Sequence, residues 1–119
     1  MGVETLHLHD TQVGTVTVER VTGEVDSHNI DELDHRLGID CSHAGGPVVV
    51  DLTHVTFFGA AGLNLLVRLH EQCESRGCSL HVVAPSRAVC RPIEAAELDM
   101  RLNIVRTIDE ALATEGQGW

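Results

Sequence analysis

Few side chains of this 119-residue chain combine the residue types and the spacing that chemistry needs. Asp51 and His54 form an acid and imidazole pair of the kind that acts as a general base, but no nucleophile stands beside them in the sequence. An aspartate that closes a buried strand more often accepts hydrogen bonds from backbone N–H groups of the next turn. We therefore predict that the domain is not an enzyme.

Metal and nucleotide sites have equally little support. His7 and His9 share one face of a predicted strand, but a metal would need a further ligand that the spacing does not supply. Gly59 and Gly62 flank a turn, yet the lysine that completes a phosphate-binding loop is missing, and all eight basic residues of the chain are Arg. We predict no metal and no cofactor.

The four cysteines are Cys41, Cys73, Cys78 and Cys90. None has the CxxC spacing of a metal or redox motif, which favours reduced thiols that pack as small apolar side chains. Cys73 and Cys78 bracket a predicted helix end at Gly77 and could lie close together. A redox switch at these two thiols is therefore an alternative interpretation.

The composition predicts one acidic globular domain. Eighteen Asp and Glu against eight Arg give a formal charge of −10, and 43% of the residues are hydrophobic. A chain of this length removes roughly two-thirds of its surface from water on folding, enough for a core without disulfides or metal. The negative charge disfavours nucleic acid and suits a partner that presents Arg or Lys. No apolar run approaches a membrane span and the first residues lack a secretory segment, so we expect a cytoplasmic protein without membrane contact.

Hydrophobic periodicity predicts the element order ββαβαβαβα. Alternation in the first two segments indicates a hairpin. In its second strand we expect Val16 and Val18 to face inward and Glu19 to face solvent, with a bulge or bend where the alternation slips at Arg20. Later segments have helical spacing or the short apolar runs of strands covered on both faces. The predicted elements are strands near 6–8 and 15–25, a helix over 29–38, a strand over 48–52, a helix over 59–76, a strand over 80–83, a helix starting near Pro85 or Ser86, a strand over 102–105 and a helix over 108–113. Pro92 should kink the third helix or delay its start.

Helices that alternate with buried strands predict parallel strand pairs joined by right-handed crossovers. The fold class is therefore α/β, with a mixed, mostly parallel sheet of four to five strands and about four helices. We place one domain over residues 1–114 and a flexible tail over 115–119. Within it, Asn29 and Glu32 form a candidate capping pair for the first helix.

Four segments occur in an order typical of one known family. Val48–Leu63 is a buried strand followed by a glycine-flanked turn that opens a helix, and Gly23–Asp26 ends the second strand. Gly77 with Leu80–Val83 gives the strand after the long helix, and 89–112 gives the closing pattern. Together, over residues 13–113, they resemble the STAS domain of bacterial anti-sigma factor antagonists and of the cytoplasmic tails of sulphate transporters.

The sequence departs from the family pattern in the turn that opens the long helix. In the family's antagonists, the turn that opens the long helix reads Asp-Ser-Ser-Gly-Leu, and an anti-sigma factor with a serine-kinase fold phosphorylates the first serine. Matched residue by residue, the aspartate is Gly59, the phosphoacceptor is Ala60, the second serine is Ala61 and the glycine is Gly62. Alanine has no oxygen to accept a phosphoryl group. The resemblance thus implies an antagonist-like protein that phosphorylation cannot switch at Ala60.

The resemblance also implies a partner surface around this turn and the exposed flank of the helix that follows it. A phosphate there would add nearly two negative charges to the contact, and without it the turn stays small and uncharged. The implied contact residues are Asp26, Ser27, His28, Asn29, Phe58, Gly59, Ala60, Ala61, Gly62 and Leu63. Two structural interpretations stand beside this one: a tight turn that needs small residues at 59–62, and a helix cap at Asp26.

By resemblance, the domain binds an anti-sigma factor and so releases a sigma factor for RNA polymerase. Without the serine it could be a constitutive antagonist, an antagonist regulated elsewhere or a scaffold for another partner. The local hydroxyls that could replace the switch are those of Ser27, Thr53 and Thr56. The alternative functions are a ligand- or redox-sensing STAS module, or a scaffold subunit of a larger signalling or transport assembly. Homodimer formation is left open.

Overall fold

A computed structural model describes residues 6–43 and 45–116 of the chain. These residues form five strands and four helices in the predicted order, which confirms the α/β fold class. The elements are β1 (Leu6–Val13), β2 (Val16–Val25), α1 (Ile30–His43), β3 (Val48–Phe58), α2 (Ala60–Ser75), β4 (Leu80–Val83), α3 (Arg87–Ala95), β5 (Asn103–Val105) and α4 (Ile108–Gly116).

The five strands form one mixed sheet in the order β1-β2-β3-β4-β5. β1 pairs antiparallel with β2, and the other three pairs are parallel. The hairpin turn between β1 and β2 has Gly14 at φ +62°, the left-handed region that favours glycine. Because β2, β3 and β4 run in the same direction, the loops that follow them lie at one edge of the sheet.

Helices cover both faces of this sheet. One face packs against α1, α2 and α3, and the other packs against α4. Every residue of β4 is buried, as the sequence predicts for a strand covered on both faces. Leu33 and Leu65, from α1 and α2, belong to the larger core cluster, and the smaller cluster consists of Val16, Val18, Val49, Val83 and Ala111.

Two elements extend beyond their predicted ends. α1 continues past Gly38 to His43, because Cys41 on its last turn still packs into the core. β3 continues to Phe58, because its parallel pairing with β2 persists as far as the pair Val25 and Phe58. The turn that carries Ala60 is therefore attached directly to a strand.

The third helix starts next to its predicted position, and the fourth helix is longer than predicted. α3 begins at Arg87 and contains Pro92, so the proline does not delay the start of the helix. α4 reaches Gly116, which includes the first two residues of the predicted tail, and residues 117–119 lie outside the described part of the chain.

The structure corrects the predicted pattern of β2. The predicted irregularity near Arg20 is present, but the extra residue lies in β3, where the pairing moves from Arg20–Asp51 to Thr22–His54. β2 itself alternates without a slip. Helices cover both faces of the sheet, and the odd-numbered residues of β2 lie on the face that packs against α1. Glu19 is therefore buried, with 0% exposure, rather than on the surface.

Candidate functional site

The two predicted contact loops meet at the edge of the sheet where β2 and β3 end. Val25 and Phe58 are register partners at the ends of these parallel strands. The Gly59 N–H donates to the Val25 carbonyl oxygen at 3.0 Å, which ties the start of α2 to the end of β2. The segment after Asp26 and the turn before Ala60 therefore form neighbouring parts of one surface.

Ala60 is exposed and is the first residue of α2. Gly59 precedes it as the N-cap with an extended backbone (φ −88°, ψ −178°), and no side chain caps this helix end. The Gly59 carbonyl oxygen accepts hydrogen bonds from the N–H groups of Gly62 (3.0 Å) and Leu63 (3.3 Å). The helix thus starts on a bare turn with a methyl group, not a hydroxyl, facing solvent.

Phe58 and Gly62 lie beneath this surface rather than on it. The Phe58 side chain is 3% exposed, and Gly62 is also buried. A Cβ atom on Gly62 would lie 2.7 Å from Phe58 Cζ and 2.8 Å from Phe58 Cε1, closer than real Cβ contacts come. These two predicted contact residues shape the turn by packing, as the tight-turn interpretation requires.

Asp26 caps the start of α1 together with Asn29. Asp26 Oδ1 accepts hydrogen bonds from the N–H groups of His28 (2.9 Å) and Asn29 (3.2 Å). In return, the Asp26 N–H donates to Asn29 Oδ1 at 3.0 Å. This reciprocal pair is a capping box, with Asp26 in place of the predicted Asn29 as its first member. The capping interpretation of Asp26 is thereby confirmed.

The cap gives a first testable prediction. Asp26→Ala removes an acceptor for two N–H groups and should lower the free energy of unfolding by about 1 kcal/mol. Thermal melting followed by circular dichroism measures the effect. Asp26→Asn, which keeps an acceptor oxygen, and Asp31→Ala, which removes another acid of the first turn, should each change stability by only a few tenths of a kcal/mol. An unchanged melting temperature for Asp26→Ala would contradict the capping role.

Phe57 is the exposed aromatic residue at this edge, and the sequence prediction missed it. Its side chain is 53% exposed, and its ring lies over the helix start, since a Cβ on Gly59 would be 3.2 Å from Phe57 Cε2. The β2–β3 pairing skips Thr56 between the pairs Gly23–Val55 and Glu24–Phe57. This second irregularity turns Phe57 outward and Phe58 inward, and no feature of the sequence marks it.

An open groove of about 570 Å³ continues from Ala60 along the flank of α2. Leu63 and Val67 of α2 and Leu98 beyond α3 give it an apolar floor. Arg68 and Arg101 stand at its sides, and each is paired with an acid: Arg68 Nη2 lies 3.1 Å from an oxygen of Asp34, and Arg101 Nη2 lies 2.9 Å from an oxygen of Glu71. The groove is thus apolar within and charged at its rim.

Asp51 and His54 do not form an acid–base pair. Asp51 is buried and accepts a hydrogen bond from the Thr53 N–H at 3.0 Å, but it lies inside β3 and does not close the strand as the sequence predicts. Arg20 Nε lies 3.4 Å from its other oxygen. His54 is exposed. Asp51 therefore has a structural role.

The alternative hydroxyls differ in their surroundings. The Thr53 hydroxyl donates to Asp51 Oδ1, and the Thr56 hydroxyl donates to the Gly23 carbonyl oxygen at 3.3 Å. Ser27 is exposed in the turn between β2 and α1.

The two predicted redox thiols, Cys73 and Cys78, lie where α2 ends. The Cys78 N–H donates a hydrogen bond to the Cys73 carbonyl oxygen at 2.9 Å.

Among the described residues, no three His, Cys, Asp or Glu side chains are grouped so that they could hold a metal ion. In the same residues, no helix has the length and apolar character that a membrane crossing requires.

Comparison with known proteins gives the family of this α/β domain. Residues 8–111 match the model of the STAS domain. Since the match spans most of the chain, the protein belongs to the STAS domain family. It is of the anti-sigma factor antagonist type, a class of non-enzymatic regulators, which confirms the prediction that it is not an enzyme.

Several of the proteins that the chain is similar to are mycobacterial. The chain is 31% identical over 102 residues to the Mycobacterium tuberculosis protein Rv2638. This alignment covers 83% of the chain and 68% of Rv2638. Over 97 residues it is 29% identical to the anti-sigma-F factor antagonist RsfB of the same species, covering 82% of this chain and 79% of that protein. A crystal structure of an anti-sigma factor antagonist from Mycobacterium paratuberculosis superimposes with a TM-score of 0.87 at 28% identity, covering 92% of both chains.

Proposed function

We propose that this domain binds an anti-sigma factor of the serine-kinase type, and so releases a sigma factor, without phosphorylation at position 60. The observation that carries the proposal is Ala60, an exposed methyl group at the bare N-terminus of α2. The contact surface, called the docking patch below, consists of Asp26, Ser27, His28, Asn29, Phe57, Gly59, Ala60, Ala61 and Leu63.

The chemistry of the docking patch suits a protein partner. Phe57 presents an aromatic ring that is 53% exposed, and aromatic anchors provide much of the binding energy of protein interfaces. Beside it, Ala60 and Ala61 add small uncharged surface, and the groove along α2 extends the apolar contact to Leu98. The chain's formal charge of −10 favours a partner with Arg or Lys around its own contact surface.

The absence of a phosphoacceptor at position 60 makes binding independent of the partner's kinase activity there. A phosphate at a helix N-terminus is stabilised locally by N–H groups, so its inhibitory effect falls on the partner, which meets added charge and hydration. Ala60 cannot acquire that charge. The domain therefore acts as a constitutive antagonist, in the cytoplasm where sigma factors act, and binds no nucleic acid itself.

The test introduces the missing charge. Ala60→Glu should weaken binding to a purified anti-sigma factor of the serine-kinase type at least tenfold, measured by isothermal titration calorimetry with ADP or ATP present. The variant should fold normally, because an acid in the first turn of a helix is favourable. Ala113→Glu, at an exposed position of α4 on the other face of the sheet, is the matched control and should bind like the parent. Equal binding by Ala60→Glu and the parent would refute the proposed surface.

A phosphorylation assay tests the second half of the proposal. With the same anti-sigma factor and ATP, the parent chain should gain no phosphate, as read by intact-protein mass spectrometry. The triple variant Gly59→Asp, Ala60→Ser, Ala61→Ser should gain one, and Gly59 can accept a side chain there because only the exposed Phe57 ring must move. Phosphate on the parent at Ser27 would show that control has moved to the neighbouring loop and would overturn the constitutive mechanism.

A redox-responsive STAS module is the second candidate function. One observation favours it: three thiols meet between α1 and the end of α2. Loss of partner binding after oxidation, restored by a reductant, would support this function over constitutive antagonism.

A further inference from the structure

Three cysteine side chains converge where α1 and α2 end. Cys41 Sγ on α1 and Cys73 Sγ on α2 lie 3.3 Å apart, although 32 positions separate them in the chain. Both are free thiols and are buried, with 1% and 0% exposure. Cys78, just after α2, is held next to Cys73 by the hydrogen bond from the Cys78 N–H to the Cys73 carbonyl oxygen at 2.9 Å. Cys73 is therefore a neighbour of both other cysteines.

The three thiols differ in their access to solvent. Cys78 is only half-buried and lines an open depression of about 420 Å³ together with Gly45, Gly46 and Arg76. This depression can admit a small molecule to Cys78, whereas Cys41 and Cys73 are buried and do not line it. The order of access is therefore Cys78, then Cys73, then Cys41.

We propose that Cys78, Cys73 and Cys41 form a thiol relay that accepts oxidising equivalents from a low-molecular-weight disulfide and stores them as a Cys41–Cys73 disulfide between α1 and α2. This inference does not rest on the proposed partner binding, since the reaction involves the isolated chain and a small molecule.

The relay balances in three exchange steps. The Cys78 thiolate attacks one sulfur of the small disulfide, forms a mixed disulfide and releases one small thiol. Cys73 then attacks the Cys78 sulfur, forms Cys73–Cys78 and releases the second small thiol. Cys41 attacks the Cys73 sulfur, which forms Cys41–Cys73 and returns Cys78 to a thiol. In sum, two cysteine thiols lose two electrons and two protons, and the small disulfide becomes two thiols.

The geometry favours the buried pair as the final product. A disulfide has a sulfur–sulfur distance of about 2.05 Å, so the two sulfur atoms must approach each other by roughly 1 Å, which small side-chain rotations can supply. The product joins two helices through a long loop, and such cross-links restrict the unfolded chain more than short-loop ones do. The Cys73–Cys78 disulfide closes a much shorter loop, so it should be the intermediate.

The relay should have a slow and pH-dependent rate, because the pKa values of the Cys73 and Cys78 thiols are both raised; for Cys73 the causes are its hydrogen bond with Cys41 and burial. Burial raises the pKa of the Cys78 thiol to about 11, and the neighbouring Arg76 charge offsets only part of that rise. Since the thiolate is the attacking species, the rate should increase about tenfold per pH unit through the neutral range. The relay would therefore respond to sustained oxidising conditions rather than to brief pulses.

Oxidised glutathione is the probe for the test. The reduced full chain is incubated with it at mildly alkaline pH, quenched with an alkylating agent and mapped by peptide mass spectrometry. We expect a Cys41–Cys73 cross-linked peptide, and a melting temperature raised on the order of 10 °C. Cys78→Ser should slow its formation at least tenfold, and Cys41→Ala should trap Cys73–Cys78.

Cys90→Ser is the matched control, because Cys90 is a half-buried free thiol of α3 outside the cluster. It should leave the rate of Cys41–Cys73 formation unchanged. The relay is refuted if glutathione stays attached to Cys78 without the buried cross-link, or if Cys78→Ser oxidises as fast as the parent. Thermal melting of each reduced variant checks that a slow rate does not come from unfolding. Should Cys41→Ala fail to fold, the parent and Cys78→Ser still decide between these outcomes.

Discussion

Stability is expected to fall as the pH rises from 4.5 to about 8, and Glu19→Gln is expected to remove most of that fall. Burial is the main reason: Glu19 is 0% exposed, and burial together with the neighbouring Asp40 carboxyl raises the pKa of the Glu19 carboxyl group from 4.5 to about 8. Neither of its oxygens meets hydrogen-bond geometry with another described group. Glu19 is therefore protonated in the folded domain at neutral pH.

The sign follows from proton linkage. Between pH 4.5 and about 8 the folded state holds a proton that the unfolded state has released, so each rise in pH favours unfolding. The stabilisation of the folded state by protonated Glu19 is complete below pH 4.5 and is lost by about pH 8. Its size is on the order of a few kcal/mol. The Arg36 guanidinium, with Nη1 3.6 Å from Glu19 Oε2, lowers the Glu19 pKa but does not outweigh burial.

Asp10, Asp40 and Arg36 are the charged groups that act on Glu19, from β1 and α1. Burial raises the pKa of Asp40 as well, so its contribution has the same sign. Glutamine mimics protonated Glu19, because its amide is uncharged and has nearly the same shape as a protonated carboxyl group. The variant should therefore match the parent at about pH 5 and exceed it at about pH 8.

Melting temperatures of parent and variant across this pH range measure the effect. Glu24→Gln is the matched control, because Glu24 is an exposed glutamate of the same strand. It should follow the pH profile of the parent, including the part that comes from the overall negative charge. A Glu19→Gln profile parallel to that of the parent would show that Glu19 is not protonated in the folded state.

Much of the fold could be predicted because two periodicities are clear in the sequence. The short apolar run 48–52 indicates a strand covered on both faces, and the helical spacing of Leu65, Leu66 and Leu69 indicates a long amphipathic helix. The order of such segments restricts the topology to a sheet with right-handed crossovers. This is why element order and fold class were predictable and several element ends were not.

The main feature that the sequence could not predict is the register of β3 against β2. The pairing of β3 with β2 shifts twice, between Arg20 and Thr22 and again between Gly23 and Glu24. Each shift changes which residues face outward, so Phe58, which the sequence predicts as a contact residue, is buried, and Phe57, which the prediction omits, is exposed. Such irregularities depend on tertiary pairing and leave no mark on composition or spacing.

Contacts between distant segments were equally hidden. Nothing in the sequence places Cys41 beside Cys73, because the pairing of α1 with α2 decides it. The same is true of Glu19, whose alternation with valines suggested a solvent-facing side chain. In both cases a residue was assigned from its neighbours in the chain, while its environment comes from another element.

Gly62→Ala is expected to destabilise the domain by about 1 kcal/mol, although alanine is the better helix former. The added Cβ would lie 2.7–3.0 Å from three atoms of the Phe58 ring. That ring is 3% exposed and packed into the core, so it cannot swing aside. Overpacking costs roughly 1–3 kcal/mol. The gain in helix propensity, about 1 kcal/mol, offsets only part of this cost. Chemical denaturation at constant pH measures the difference.

Gly38→Ala is the control that makes the argument decisive. Gly38 also lies inside a helix, but a Cβ there would meet nothing within 4 Å. Helix propensity then acts alone, and the substitution should stabilise the domain by up to about 1 kcal/mol. Phe58→Leu should reduce the cost of Gly62→Ala, and a double-mutant cycle gives the coupling energy. If both glycine substitutions stabilise, the turn below Ala60 is not set by contact with Phe58, and the small residues at 59–62 need another explanation, such as contact with the partner itself.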